Sequence, residues 1–273
     1  MKHQKTLLLL AGVILCAGVL AGILLSGRAM EADFSRKNLP PCPAFPFGTD
    51  SLGRDMLART LAGLSLSIQV GAVTAAASAA IALTLGTACA VFGGRVDGAV
   101  SWLIDLVMGV PHILLILLIS LACGKGMAGV TAGMALTHWT GLARLLRGEV
   151  IQLRQAPWFQ SARRMGVTRR KLVQNHLFPH LLPHLLTGML LQFPHAILHE
   201  ASITFLGFGL PPEQPTIGII LAESMSALTT GRWWLAVFPG ASLVLTVMLF
   251  HLAGENLRIM LSHAGEPEQE ALL

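Results

Sequence analysis

Charge is what this sequence has least of. Only 12% of its 273 residues are Asp, Glu, Lys or Arg, against roughly 25% in soluble domains. Together with 53% hydrophobic residues and a mean hydropathy of +0.67, this excludes an ordinary soluble domain. The four cysteines, Cys16, Cys42, Cys89 and Cys123, form no C-x-x-C pair, so neither a zinc nor a redox motif is present. Cys16 and Cys89 read as packing residues in apolar runs, and a Cys42–Cys123 disulfide stays open. No G-x-x-x-x-G-K-[ST] phosphate loop occurs; Gly124-Lys125 lacks the preceding glycine and the following hydroxyl. The chain is therefore not expected to hydrolyse ATP. His199-Glu200-Ala201-Ser202-Ile203 has Ile203 where a zinc protease needs its second histidine. The net charge of +5 does not imply a nucleic-acid partner, because Lys and Arg cluster between apolar runs, where they set topology.

Long hydrophobic runs are what the sequence has instead. They predict an all-α integral membrane protein of six transmembrane helices, near 6–26, 68–93, 104–124, 127–146, 181–207 and 233–254. Alone, the first run could be a cleaved signal peptide. The spans that follow favour an uncleaved first helix. Lys2 and Lys5, then Arg95, then a basic segment from Arg144 to Lys171 fall on one side, which makes that side cytoplasmic. Arg28, Arg36, Lys37, Arg54 and Arg59 fall in the first outer loop and fit the rule worst. Residues 50–64 read as an amphipathic helix on the membrane surface. Pro211, Pro212 and Pro215 break any helix in the outer segment before Arg232.

Within the basic segment, Pro157 to Met165 predicts a short helix. Pro157 suits the first helical position, Gly166 the left-handed residue that ends it, and Thr168 the cap of a second helix. Trp158, Phe159, Ala162 and Met165 are expected on one face, with Gln160, Arg163 and Arg164 opposite. Such an apolar face needs either a protein partner or the lipid headgroups.

This segment resembles the cytoplasmic loop signature of ABC importer permeases, Glu-Ala-Ala, three residues, Gly, nine residues, an aliphatic residue, one residue, Leu-Pro. Here Gln160-Ser161-Ala162, Gly166, His176 and Phe178-Pro179 keep the spacing and depart at Gln160, Ser161, His176 and Phe178. Gly48-Thr49-Asp50-Ser51-Leu52-Gly53-Arg54-Asp55 resembles the GTDxxGRD segment of the dipeptide, oligopeptide and nickel permeases. Gly94-Arg95-Val96-Asp97, Asp105 with Pro111, Glu200-Ala201, Phe205 to Gly209, Pro239-Gly240 and Gly254 to Arg258 fit the same group. The resemblance runs from Phe47 to Leu261 and is closest to the C-type subunit.

It implies residues 1–46 as N-terminal span and start of the outer loop, 47–264 as permease domain and 265–273 as tail. It also implies a multi-pass protein of the bacterial inner membrane. Gln160, Ser161, Ala162, Arg163, Arg164, Met165 and Gly166 would form the coupling helix, between spans four and five, that docks on an ATPase. The implied partners are a homologous permease, two ABC ATPase subunits that bind ATP and Mg, and an extracytoplasmic substrate-binding protein. This chain would bind no cofactor itself. The implied cargo is peptides, nickel or metal chelates. The alternative is an ion-coupled secondary transporter or channel that needs no ATPase.

Histidines and acids inside spans are costly and usually face the bundle interior or a water-filled path. His195, His199 and Glu200 are therefore candidates for lining the translocation path. His176, His180 and His184 share a helix face at the cytoplasmic mouth and read as interfacial residues rather than ligands. No metal site is assigned. Asp105 reads as an interfacial residue at the start of its span. Pro111 and Pro194 are expected to kink their helices.

Overall fold

The computed structural model describes residues 2–270, with the side chains of residues 2, 90, 91, 169, 170, 176 and 262–270 outside the description. Among the described residues the regular structure is helical, with two isolated β-bridges, Cys42–Phe45 and Thr49–Asp55. The helices are α1 (Lys2–Leu24), α2 (Ser26–Met30), α3 (Met56–Phe92), α4 (Gly94–Met108), α5 (His112–Ala122) and α6 (Met127–Gln155). They continue as α7 (Pro157–Arg164), α8 (Arg169–Leu172), α9 (Phe178–Phe205), α10 (Ile217–Leu228) and α11 (Trp234–Glu270). Residues 265–270 of the expected tail thus continue α11, and 271–273 lie outside the described residues. All four cysteines are free, so Cys42 and Cys123 are not paired.

The central element is α3, 37 residues long. Asp55 starts it by accepting hydrogen bonds from the amides of Leu57 and Ala58, a side-chain cap on otherwise unpaired donors. Gly93, at φ +61°, ends it. The surface helix expected over 50–64 does not form. Residues 50–55 are a folded loop, and Met56 onward is the buried start of α3. The polar positions that made this stretch look amphipathic are paired inside the protein instead of facing headgroups.

Helix α1 packs on α3 and α11, so the first apolar run is part of the fold. A Cβ on Gly22 would sit 2.2 Å from the Leu61 carbonyl oxygen, so the two backbones touch there. Ala29, Ala58 and Ala62 continue the contact. Small residues of this kind let membrane helices approach closely where no hydrophobic effect drives them together.

The span expected over 104–124 is broken. Helices α4 and α5 meet at 96° across Gly109–Pro111. Pro111 has no amide to donate and biases the preceding residue toward extended backbone. By length and composition four helices among the described residues can cross a bilayer: His3–Leu24, Met56–Cys89, Phe178–Phe205 and Trp234–Leu261. The bent α4–α5 pair would make a fifth. Helix α6, 29 residues or about 44 Å, is long enough, but Arg144, Arg147, Glu149 and Arg154 fill its second half. The expectation of six apolar spans thus reduces to four or five on this criterion. The basic segment is also less of a loop than expected, because α6 runs through it to Gln155.

Helix α9 continues through both Pro183 and Pro194. Two apolar clusters hold opposite ends of the bundle. Cys89, Ile104, Leu146, Phe159 and Leu181 join α3, α4, α6, α7 and α9 at one end. Met56, Ile197, Ile217, Leu235 and Phe250 join α3, α9, α10 and α11 toward the other. Large apolar side chains stay exposed on α1 (Leu9, Val13, Leu20), α5 (Leu114, Leu118) and α11 (Val244, Leu245, Met248). Exposed faces of this kind suit lipid or a partner helix and are unfavourable in water.

Candidate functional site

Helix α7 is built from local signals. Pro157 occupies its first turn, and Gly166, at φ +79°, ends it, with amides of Met165 and Val167 bonded back to Ser161 and Ala162 carbonyls. Its apolar residues share one face, about 120° wide, but differ in burial across it. Phe159 and Ala162, three residues apart, turn inward onto the α3–α6–α9 core, with Phe159 only 6% exposed. Trp158 and Met165, seven apart, lie along the outward edge of the same face, with Met165 77% exposed. At 100° per residue Met165, Trp158, Ala162 and Phe159 follow one another across a single arc of about 120°, so one edge of the expected face is buried and the other exposed. Gln160, Arg163 and Arg164 line an open groove of about 630 Å³ with Ile151, Arg154 and Gln155. Ser161 and Gly166 are exposed beside it. The result is a helix anchored by one aromatic, presenting cations and the outer edge of its apolar face.

The basic residues before α7 do more than mark a side. Arg147 grips Asp97 of α4 with two hydrogen bonds, at 2.5 and 2.8 Å. Arg144 reaches Asp105 at 2.7 Å, and Asp105 is exposed. His180 and His184 both face Glu149, at 3.9 and 3.8 Å. The side chain of His176 lies outside the description.

The path candidates separate. His195 and His199 line a cavity of about 750 Å³ at the α4–α5 break, together with His112, Thr137, His138 and Gln192. Glu200, the next residue, points away from it and is fully buried. It accepts hydrogen bonds from Ser67, at 2.6 Å, and Thr204, at 3.0 Å. That geometry ties α9 to α3. His112 and His138 were not singled out in the sequence. Their signal was available, since each is an ionisable residue inside an apolar run.

At the opposite end lies a compact ion-pair network. Asp50 bonds Arg54 and Arg59, and Glu223 of α10 bonds the same two arginines. Thr49 accepts from the amide of Leu39 at 2.9 Å and donates to the carbonyl of Arg36. The GTDxxGRD segment is therefore a clasp between the first outer loop, α3 and α10.

The family described as binding-protein-dependent transport system inner membrane component matches residues 56–258, from the start of α3 to well inside α11. The chain belongs to this family. The oligopeptide transport system permease protein OppC of Mycobacterium tuberculosis is 33% identical over 86% of this chain and 81% of its own length. The dipeptide transport system permease protein DppC of Bacillus subtilis is 27% identical over 94% and 82%. OppC of Bacillus subtilis is 29% identical over 94% and 86%. The chain is accordingly an ABC importer permease of the peptide-permease group and a multi-pass protein of the bacterial inner membrane. Both α7 and the cavity at the α4–α5 break lie inside the matched residues.

Proposed function

We propose that this permease is one membrane half of an ATP-driven importer of short peptides. It pairs with a homologous permease and two ABC ATPases and receives cargo from an extracytoplasmic binding protein. The observation that carries the reading is α7. It is a short helix fastened to the core by Phe159 and carrying exposed Met165, Arg163 and Arg164, in the segment that resembles the coupling-loop signature of ABC importer permeases. The peptide-permease names of the relatives favour peptides over nickel or a metal chelate as cargo.

In this reading α6 also crosses the membrane, giving six crossings. Its polar residues are tolerated because protein covers them; Thr137, His138 and Thr140 are buried, and backbone or polar groups at membrane depth are tolerated against protein or a cavity. Nucleotide binds to the partner subunits, not to this chain. Closure of the ATPases moves α7, and α7 moves the helix ends it is packed against. Family membership leaves the ion-coupled secondary transporter without support.

Uptake of a labelled peptide by cells carrying Met165→Glu, at an exposed position, or Gly166→Pro tests the coupling role. Uptake should collapse while the amount of chain in the membrane is maintained. Unchanged uptake would overturn it.

A further inference from the structure

The cavity at the α4–α5 break brings together three imidazoles that are far apart in sequence. His112 opens α5, His138 lies near the middle of α6 and His199 lies on α9. One ring nitrogen from each lies within 4.8 Å of the other two. The ring centroids are 4.7, 4.9 and 5.3 Å apart. His138 is 6% exposed. Its Nδ1–H donates to the Met134 carbonyl at 2.9 Å. A carbonyl only accepts, so the proton sits on Nδ1 and Nε2 carries the lone pair. That Nε2 is buried and has no hydrogen-bond partner among the described residues. A backbone carbonyl fixing one ring nitrogen so that the other presents its lone pair is the arrangement that orients metal-ligating histidines. Edge-on packing of three rings would account for the centroid distances but not for a buried lone pair with no donor facing it.

We propose that His112, His138 and His199 form a three-imidazole site for a divalent transition-metal ion on the translocation path. Imidazole nitrogens suit nickel, zinc or copper ions, whereas magnesium and calcium prefer oxygen ligands. Metal–nitrogen bonds of about 2.0–2.1 Å imply nitrogens roughly 3.4 Å apart in a tetrahedral site, a modest closure by side-chain rotation. The remaining coordination positions face the cavity of about 750 Å³, which has room for water or for the amine and carboxylate groups of a bound peptide. Gln192, whose buried Oε1 also lacks a partner among the described residues, lines the same wall. The site rests on the permease reading only for its place on the path; the binding of the ion does not depend on it. It leaves the cargo a short peptide, which either meets a resident ion on the path or carries the ion in as a chelate.

The test uses the full chain purified with its partner subunits through a tag without histidine, in lipid nanodiscs. It is equilibrated either with nickel chloride alone or with nickel precomplexed to a histidine-containing dipeptide, and bound nickel is counted by mass spectrometry. One ion per chain is expected in at least one arm; the arm that loads tells a bare ion from a chelated one. His138→Ala and His199→Ala should weaken binding roughly tenfold or more. The double variant His180→Ala/His184→Ala, which removes the separate Glu149 cluster, should retain it. His138→Gln, which keeps bulk in the buried position, guards against misfolding: assembled and monodisperse, it should still lose the ion. No stoichiometric binding in either arm overturns the site, as does full binding in folded His138→Gln or in both alanine variants. ATPase activity measured on the same preparations reports on the permease reading separately.

Discussion

Arg59 places a single guanidinium nitrogen, Nη1, 2.9 Å from both Asp50 and Glu223. Its side chain is 1% exposed. One cation therefore joins the first outer loop to α10 through the start of α3. This accounts for two of the five cations that fit the positive-inside pattern poorly, because Arg54 and Arg59 form internal pairs.

Removing the cation alone should be costly. Arg59→Met leaves Arg54 to bridge Asp50 and Glu223 alone, so the loss should fall below the roughly 3–5 kcal/mol of a fully buried pair broken on one side. Thermal unfolding of the purified chain should move to clearly lower temperature. A variant as stable as the parent would show that the clasp contributes little.

Ser67 and Thr204 are the hydroxyl donors to Glu200. Ser67→Ala withdraws one of them from a buried carboxyl, a loss of about 1–3 kcal/mol. Stability should fall while the cargo preference of uptake stays the same. A changed preference with unchanged stability would place Glu200 on the path instead of in the α3–α9 joint.

The two edges of the α7 apolar face should behave differently. Phe159→Ala empties a core position and should cost about 3–5 kcal/mol of stability. Met165→Glu alters an exposed side chain, so stability should stay within about 0.5 kcal/mol while peptide uptake falls. Melting curves and uptake measured on the same two variants check this. The reverse pattern would mean that Met165, not Phe159, anchors the helix.

Gly22→Val should separate α1 from α3, since even a Cβ would collide with the Leu61 backbone. Overpacking of this kind costs about 1–3 kcal/mol. A cysteine pair engineered across α1 and α3 should cross-link less readily in the variant. Equal cross-linking would show that the close approach is not required.

What could be read from the sequence was what is local in the chain. Pro157 and Gly166 bracket α7 as expected because a missing amide and a left-handed φ act within a few residues. Asp55 starts α3 for the same reason, yet residues 50–64 misled, since amphipathic spacing does not reveal whether polar groups meet headgroups or each other. The pairing of Arg59 with Glu223 spans 164 positions and left no local trace. Pro111 signalled a bend but not its 96° angle, and that angle is what brings His112 to His138 and His199. The apolar face of α7 was legible from its spacing, but not that its Phe159 edge packs inward while its Met165 edge stays exposed, because adjacent Trp158 and Phe159 differ by about 100° around a helix.

The most direct measurement is purification of the chain from its native membrane under mild detergent, followed by assay of nucleotide hydrolysis in the purified complex. An ABC ATPase should co-purify, hydrolyse ATP faster when the loaded binding protein is added, and lose that stimulation with Gly166→Pro. A preparation that catalyses peptide uptake in proteoliposomes with no nucleotide-binding subunit present would contradict the account.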